Sequence, residues 1–229
     1  MTIKKPPLAL ESTTLWEYPS QHYGNKMQGS QLYTGATPSY IIWNLLMRYT
    51  RENDLVVDPM CGSGTTIDVC NDLHRRVQGF DIAPFRKDIQ KADARHLPMK
   101  SGSADFVFID PPYSDHVHYS EEIDCIGRIK AEDPKYFTEM EKVIAEIDRI
   151  LKPKRFMGLT ICDSFKKKSG FMPIGFKIFE MLCHYFKPAD IVSVVRHNKN
   201  LKRGNWRQAA IEGNFFLRGF NYLFIMKKE

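Results

Sequence analysis

Three short apolar runs in the first half of this chain each end on an aspartate: Leu55-Val56-Val57-Asp58, Val77 to Asp81, and Phe106-Val107-Phe108-Ile109-Asp110. Runs of this length, rich in β-branched and aromatic residues and followed by turn residues, predict buried strands. The segments around them carry helical spacing instead. Ile41, Ile42, Leu45, Leu46 and Tyr49 recur after Pro38, a helix is expected from about Thr65 to His74, and Phe137, Met140, Ile144, Ile147 and Leu151 mark an amphipathic face. Later strands are expected at Phe156–Cys162, Ile191–Val195 and Phe220–Met226, with a helix over Ile174–Phe186. Alternation of this kind predicts an α/β fold with a mainly parallel sheet and right-handed crossovers. Ligands of such sheets bind beyond the carboxyl ends of the strands. Any one of the three aspartates passes for a turn residue; three in register along one rim point to a site.

The 229 residues suit a single domain, read here as 39–229, preceded by an irregular extension over 1–38 that serves as a lid or substrate contact. That extension interleaves Pro, Gly, Ser and Gln with Trp16, Tyr18, Tyr23 and Tyr33. With 43% hydrophobic and 26% charged residues the chain is globular, and no apolar run approaches the roughly 18–20 residues of a membrane span. The N-terminus lacks the pattern of a secretory signal, so a cytoplasmic location is expected. The 5 cysteines show no C-x-x-C spacing, which argues against a zinc site or a disulfide framework. No metal is expected. The net charge of +6 permits a polyanionic partner, and cations gather late in the chain, from Arg196 to Arg207.

Asp58-Pro59-Met60-Cys61-Gly62-Ser63-Gly64-Thr65-Thr66 joins the first of these strands to its helix. Gly62 and Gly64 allow a tight turn and close approach of a ligand. Ile67 stands where a dinucleotide fingerprint has its third glycine, and no G-K-[ST] ending follows, so this is neither that fingerprint nor a phosphate-binding P-loop. A second signal is Asp110-Pro111-Pro112-Tyr113, directly after an apolar strand. The lone pair of an aromatic amine is delocalised into its ring, so acceptors aimed at the N–H groups favour a pyramidal, nucleophilic nitrogen. Asp110 offers a carboxylate and Pro111 a carbonyl. The two prolines stiffen the backbone and add no donor, and Tyr113 supplies a flat face for stacking.

Together the two motifs resemble those of the N6-adenine and N4-cytosine amino-methyltransferases, whose loop reads D-P-F-x-G-S-G-T-T; Met60 holds the Phe position. The resemblance covers roughly residues 37–227. It implies a Rossmann-like class I methyltransferase fold: a mainly parallel seven-stranded sheet, helices on both faces, and a C-terminal antiparallel hairpin near Phe215–Phe220. It also implies S-adenosyl-L-methionine as cofactor and S-adenosyl-L-homocysteine as product. The residues that would hold the cofactor are Thr37, Pro38, Asp58, Met60, Cys61, Gly62, Ser63, Gly64, Thr65, Thr66, Asp81, Ile82, Asp93 and Ala94. Asp58 would lie near the ammonium group, Asp81 would accept from the ribose hydroxyls, and Asp93 would meet the adenine amino group. Asp110, Pro111, Pro112 and Tyr113 would act on the base amine.

The expected substrate is a nucleic acid, DNA or a structured RNA such as rRNA in equal measure, methylated at cytosine N4 or adenine N6. An extruded base would meet Tyr113, His116 and Tyr119. The mixture of cations and an aromatic in Lys199, Lys202, Arg203, Trp206 and Arg207, read as a loop, suits phosphate contact and stacking. The alternative is protein-glutamine methylation, which uses a related loop beginning with Asn; Asp110 argues against it. Cytosine-C5 chemistry needs a cysteine nucleophile in a Pro-Cys pair, and none occurs.

Overall fold

A computed structural model describes residues 7–18, 20–113, 119–167, 169–197 and 204–229. Its centre is an eight-stranded sheet. In chain order the strands are β1 (Leu15–Trp16), β2 (Leu55–Asp58), β3 (Arg76–Asp81), β4 (Gln90–Lys91), β5 (Ala104–Ile109), β6 (Leu151–Ile161), β9 (Lys187–Val195) and β10 (Phe220–Lys227), with β7 (Ser164–Lys166) and β8 (Gly170–Met172) forming a separate two-stranded sheet. Across the sheet the order is β1-β9-β10-β6-β5-β2-β3-β4. From β4 to β6 all neighbours are parallel, and β10 runs antiparallel between β6 and β9. Helices α1 (Ser39–Tyr49), α2 (Thr65–Asp72), α3 (Pro134–Ile150), α4 (Ile174–Tyr185) and α5 (Gly204–Glu212) complete the architecture.

The alternation expected of a strand buried on both faces is plain in β5. Phe106 and Phe108 pack with Ile41, Ile42, Leu45 and Leu46 of α1, while Val107 and Ile109 pack with Met140, Ile144 and Ile147 of α3. Burying such side chains on both faces is worth roughly 1.5–3 kcal/mol each. Helix α3 begins on a defined cap: the Asp133 carboxylate accepts from Lys135 N at 2.9 Å, and Pro134 occupies the first helical turn.

The mainly parallel sheet with helices on both faces matches the expected class, and three features extend it. An eighth strand, β1, pairs in parallel with β9 through Leu15–Ser193 and Trp16–Val194. The Trp16, Tyr18 and Tyr23 side chains of the same N-terminal stretch are buried in the α1-side core. Second, β6 starts before the expected Phe156. Its register with β5 shifts between Ala104 and Phe106, and Lys154, just after Pro153, has a left-handed φ of 64°, which hides the early part of the strand from pattern reading. Third, Trp206 and Arg207, read as loop residues, lie on the short helix α5.

Candidate active site

The strand order reverses direction between β2 and β5: the chain leaves β2 towards β3 on one side, and β5 lies on the other. Such a switch point opens a crevice at the carboxyl ends of the strands. Asp58 ends β2, Asp81 ends β3 and Asp110 follows β5, so all three carboxylates reach the same rim.

Between Asp58 and α2 the backbone makes a tight, left-handed turn, with φ of 47° at Gly62 and 81° at Gly64. A side chain at either position would be strained, and a Cβ on Gly62 would lie 2.9 Å from the Tyr33 ring. The loop is tied to its surroundings by its own amides. Gly62 N donates to Asp81 Oδ2 at 2.9 Å, Met60 N donates to Asp58 Oδ1 at 3.1 Å, and the Thr66 hydroxyl donates to Asp58 Oδ2 at 2.5 Å. Ala83 N donates to the other Asp81 oxygen at 3.0 Å. Outside the loop, Arg86 makes a two-pronged contact with Asp68 of α2 at 2.8 and 2.9 Å, and Gly29 N donates to the same carboxylate at 2.7 Å.

Two adjoining hollows fill the crevice. One, about 570 Å³ and open to solvent, is lined by Met60, Asp81, Ile82, Asp93, Ala94, Asp110, Pro112 and Tyr119, together with Tyr33 and, from the Ser120–Ile126 stretch, Ser120, Asp124, Cys125 and Ile126. The other, about 450 Å³, is lined by Thr37, Asp58, the Gly62–Ser63 turn, Thr65, Thr66, Pro111 and Tyr113. Tyr33, Met60, Asp110 and Tyr119 belong to both, so the hollows meet at these four side chains.

The charges of the crevice are perturbed by burial. Asp58 is 3% exposed, and burial pushes its carboxyl up to about 7, against the pull of the Thr66 and Met60 donors. Burial also raises Asp81, which three backbone amides partly offset. Asp110 is raised by its depth in the crevice, opposed by the Thr160 and Thr37 hydroxyls and by the charge of Arg196. Asp93 behaves differently. It is clasped by Arg95 through Nε at 2.9 Å, and its carboxyl sits below the usual range. Arg95 also reaches Glu139 of α3 and the carbonyl of Asp124, so one guanidinium joins two walls of the larger hollow.

At the Asp110 end of the crevice, Tyr136 of α3 donates its hydroxyl to Pro112 O at 2.9 Å and holds the proline pair in place. Arg196, just past β9, donates to Cys162 Sγ at 3.1 Å and is near enough to act on the charges of Asp110, Tyr113 and Tyr119.

Most residues expected to hold the cofactor line one hollow or the other. Pro38 and Gly64 do not: Pro38 is the N-cap of α1 and Gly64 that of α2. His116, Lys199, Lys202 and Arg203 lie outside the described residues. Trp206, 47% exposed, and Arg207 sit on α5 and line neither hollow. Tyr33, Gly35, Ala36 and the Ser120–Ile126 wall were not anticipated as site residues. Tyr33 had a faint signal, an aromatic among turn residues; the rest had none. Among the described residues no cluster of His, Cys, Asp and Glu is placed to hold a metal, and no helix is long and apolar enough to cross a membrane.

Comparison with known proteins bears on this geometry. Residues 4–92 match the model of the N6/N4 methyltransferase family, described as DNA methylase. Over that stretch, which is less than half of the chain, the sequence is similar to the N6-adenine/N4-cytosine methyltransferases. Two curated relatives fall in line with the match. One is the type II methyltransferase M.HpaI of Haemophilus parainfluenzae, 33% identical over 70 residues, or 31% of this chain and 22% of that protein. The other is the type II methyltransferase M2.LlaDCHI of Lactococcus lactis subsp. cremoris, 43% identical over 44 residues, or 19% of this chain and 16% of that protein. The matched stretches therefore span about a fifth of each relative's length. Among solved structures, TrmN from Thermus thermophilus superposes with a TM-score of 0.55 at 16% identity, covering 86% of this chain and 50% of that one. Geranyl diphosphate C-methyltransferase from Streptomyces coelicolor A3(2), solved with S-adenosyl-L-homocysteine, gives 0.55 at 13% identity over 84% of this chain and 76% of that one. The fold is that of the class I S-adenosylmethionine-dependent methyltransferases.

Proposed function

We propose that this protein uses S-adenosyl-L-methionine to methylate the exocyclic amino group of a nucleic-acid base, cytosine N4 or adenine N6. One observation carries the reading. Asp110 of Asp110-Pro111-Pro112-Tyr113 lines both hollows, so a cofactor cleft and an amine-directed acceptor share one carboxylate.

The donor set fits the cofactor. Asp58, at the floor of the smaller hollow, offers a carboxylate to an ammonium group. Asp81, although its oxygens accept from Gly62 N and Ala83 N, keeps acceptor capacity for ribose hydroxyls. Asp93 and Ala94, with the Asp124–Ile126 wall, offer a slot for a flat heterocycle. When bound, the cofactor supplies a methyl group on an electrophilic sulfonium. This chain's residues do the rest. Asp110 accepts from the base amine, turns its lone pair out of conjugation and opposes the positive charge that develops on nitrogen. Tyr113 and Tyr119 confine the base plane. The nitrogen gives up one proton, and Asp110 is placed to receive it. Proximity and charge placement supply the rate, and no covalent enzyme intermediate is required.

The description of the matched family favours DNA as the first substrate to test, and structured RNA shares the same chemistry. The test is quantitation of N4-methylcytosine and N6-methyladenine in the DNA and rRNA of a deletion strain and its parent. Loss of one modified nucleoside from one nucleic acid identifies the substrate. Identical spectra from both strains would count against the nucleic-acid reading.

A further inference from the structure

The interior of this site poses a physical problem that the motif alone does not answer. A carboxylate deep in a crevice tends to take up a proton, and a protonated Asp110 presents a donor where the amine needs an acceptor. A salt bridge would keep it charged, but a guanidinium or ammonium in direct contact would also draw off the negative charge that the amine requires.

Two hydroxyls approach Asp110 instead. Thr37, in the segment leading into α1, donates its Oγ1 proton to Asp110 Oδ2. Thr160 approaches from the other side. Ile109 of β5 pairs with Leu159 of β6, so one step further along the parallel register Thr160 flanks Asp110. Thr160 is 1% exposed, and its buried hydroxyl forms no hydrogen bond of good geometry, although it faces Asp110 closely enough to favour the charged form. The other charged and titratable groups that face this carboxylate come from the remaining walls: Arg196 past β9, Asp58 at the end of β2, and the phenols of Tyr33, Tyr113 and Tyr119.

We infer that Thr37 and Thr160 are positioning residues that cradle Asp110 between two neutral hydroxyls, fixing its rotamer so that one oxygen stays aimed at the substrate amine. A hydroxyl donor stabilises an anion without neutralising it. With Oδ2 claimed by Thr37, Oδ1 is left to the amine, while the Thr160 hydroxyl flanks the carboxylate as a neutral dipole. Thr37 also lines the smaller hollow with Asp58. It therefore acts on the reacting carboxylate from within the cofactor cleft, beyond the cofactor contact implied by the family motif. This inference rests on the role proposed for Asp110, but its test does not depend on it.

The experiment is a 13C NMR titration of side-chain carboxyls in the full chain labelled at aspartate, the Asp110 signal being assigned by its loss in Asp110→Asn. The variants are Thr37→Val, Thr160→Val and the conservative Thr37→Ser, each checked for an unchanged thermal transition. Thr37→Val should move the Asp110 midpoint upward by at least about one pH unit, the scale of one hydrogen bond to a charged group, and Thr160→Val should move it in the same direction by less. Thr37→Ser should restore it. Once a substrate is known, the acid limb of the single-turnover rate should move with the NMR midpoint. A midpoint unmoved in both valine variants overturns the cradle, whatever Asp110 does in catalysis. A normal shift with no activity in any form would instead sink the proposed function and leave the cradle standing. If Thr37→Val fails to fold, Thr160→Val alone decides, since valine keeps the shape of threonine and removes only the hydroxyl that flanks Asp110.

Discussion

Asp110→Asn changes the chemistry at one position with almost no change in volume, and the structure predicts opposite signs for rate and stability. The Thr37 hydroxyl is a donor to this side chain. In the variant it takes the amide's single oxygen, which turns the amide NH2 towards the substrate amine and sets donor against donor. The negative charge that opposes the developing cation is lost as well. Removing one oriented electrostatic partner of this kind costs about 100-fold or more in the chemical step, roughly 2.7 kcal/mol. Folding responds the other way. Burial raises the Asp110 carboxyl above its ordinary value, so the folded protein holds that proton more tightly than the unfolded chain does. The group's contribution to stability is therefore complete below the ordinary carboxylate range and is lost as the pH rises through the folded value. Asparagine never makes that loss. At pH 8 the variant should be at least as stable as the parent, with a gain of about 2–4 °C in Tm for each kcal/mol recovered. Single-turnover methyl transfer and a thermal melt, on the same preparation, are the two measurements. Turnover close to the parent's would show that Asp-Pro-Pro-Tyr is a turn and nothing more. A large fall in Tm would show that the lost rate came from misfolding.

Asp58 predicts a pH dependence of cofactor binding: its carboxyl, raised to about 7 by burial, must be ionised to meet an ammonium group. Affinity for S-adenosyl-L-methionine should fall about tenfold per pH unit below that value, with uptake of the released proton by buffer seen in calorimetry; a flat profile from pH 5.5 to 7.5 would remove Asp58 from that role. Asp81→Ala should weaken cofactor binding by about 1–3 kcal/mol, since it deletes acceptors and also frees the Gly62 amide; unchanged affinity by calorimetry would reassign Asp81 to loop structure alone. Neutralising Lys199, Lys202, Arg203 and Arg207 together should weaken nucleic-acid binding and flatten its salt dependence while leaving cofactor affinity intact. A full salt slope in that variant would make these residues ordinary solvated cations. Tyr113→Ala should weaken capture of the base by about 1–3 kcal/mol through lost stacking, measured as a raised KM with little change in the chemical rate.

What the sequence disclosed was whatever local pattern encodes. The runs ending in Asp58 and Asp110 are strands because their side chains are apolar on both faces, the run ending in Asp81 carries Val77 and Phe80, and the turn after each is marked by Pro, Gly or Ser. The glycine turn and the Asp-Pro-Pro-Tyr segment were legible because close approach and rigid backbone demand particular residues. Tyr33 was not legible as part of the site, since nothing near it in the chain shows that its ring comes to rest against Gly62. The same holds for the Ser120–Ile126 wall, which reaches the cleft only through tertiary packing. Strand β1 has just two residues, too few for any periodicity, and its partners in β9 lie at the far end of the chain. Trp206 and Arg207 looked like loop because the segment is polar on most sides; the helix there buries only Ala210.

That pairing of Leu15–Trp16 with Ser193–Val194 has a consequence for how the protein is made. The acidic rim and the glycine turn lie between Asp58 and Asp110, and they leave the ribosome well before β9 does. Until β9 and β10 have emerged, Trp16 lacks the neighbours at Val192, Val194 and Leu223 that share its core, and the segment that carries Tyr33 and Thr37 to the cleft is held through α1 and α2, by Asn44, Asp68 and Asp72. Contacts so distant in sequence form late because the intervening loop must first be closed. A nascent chain halted after β6 would thus hold the parallel strands of the cofactor half, yet its N-terminal wall would not be secured at the sheet edge. Competence to bind should appear abruptly, with synthesis of the last strands, and not grow in proportion to chain length.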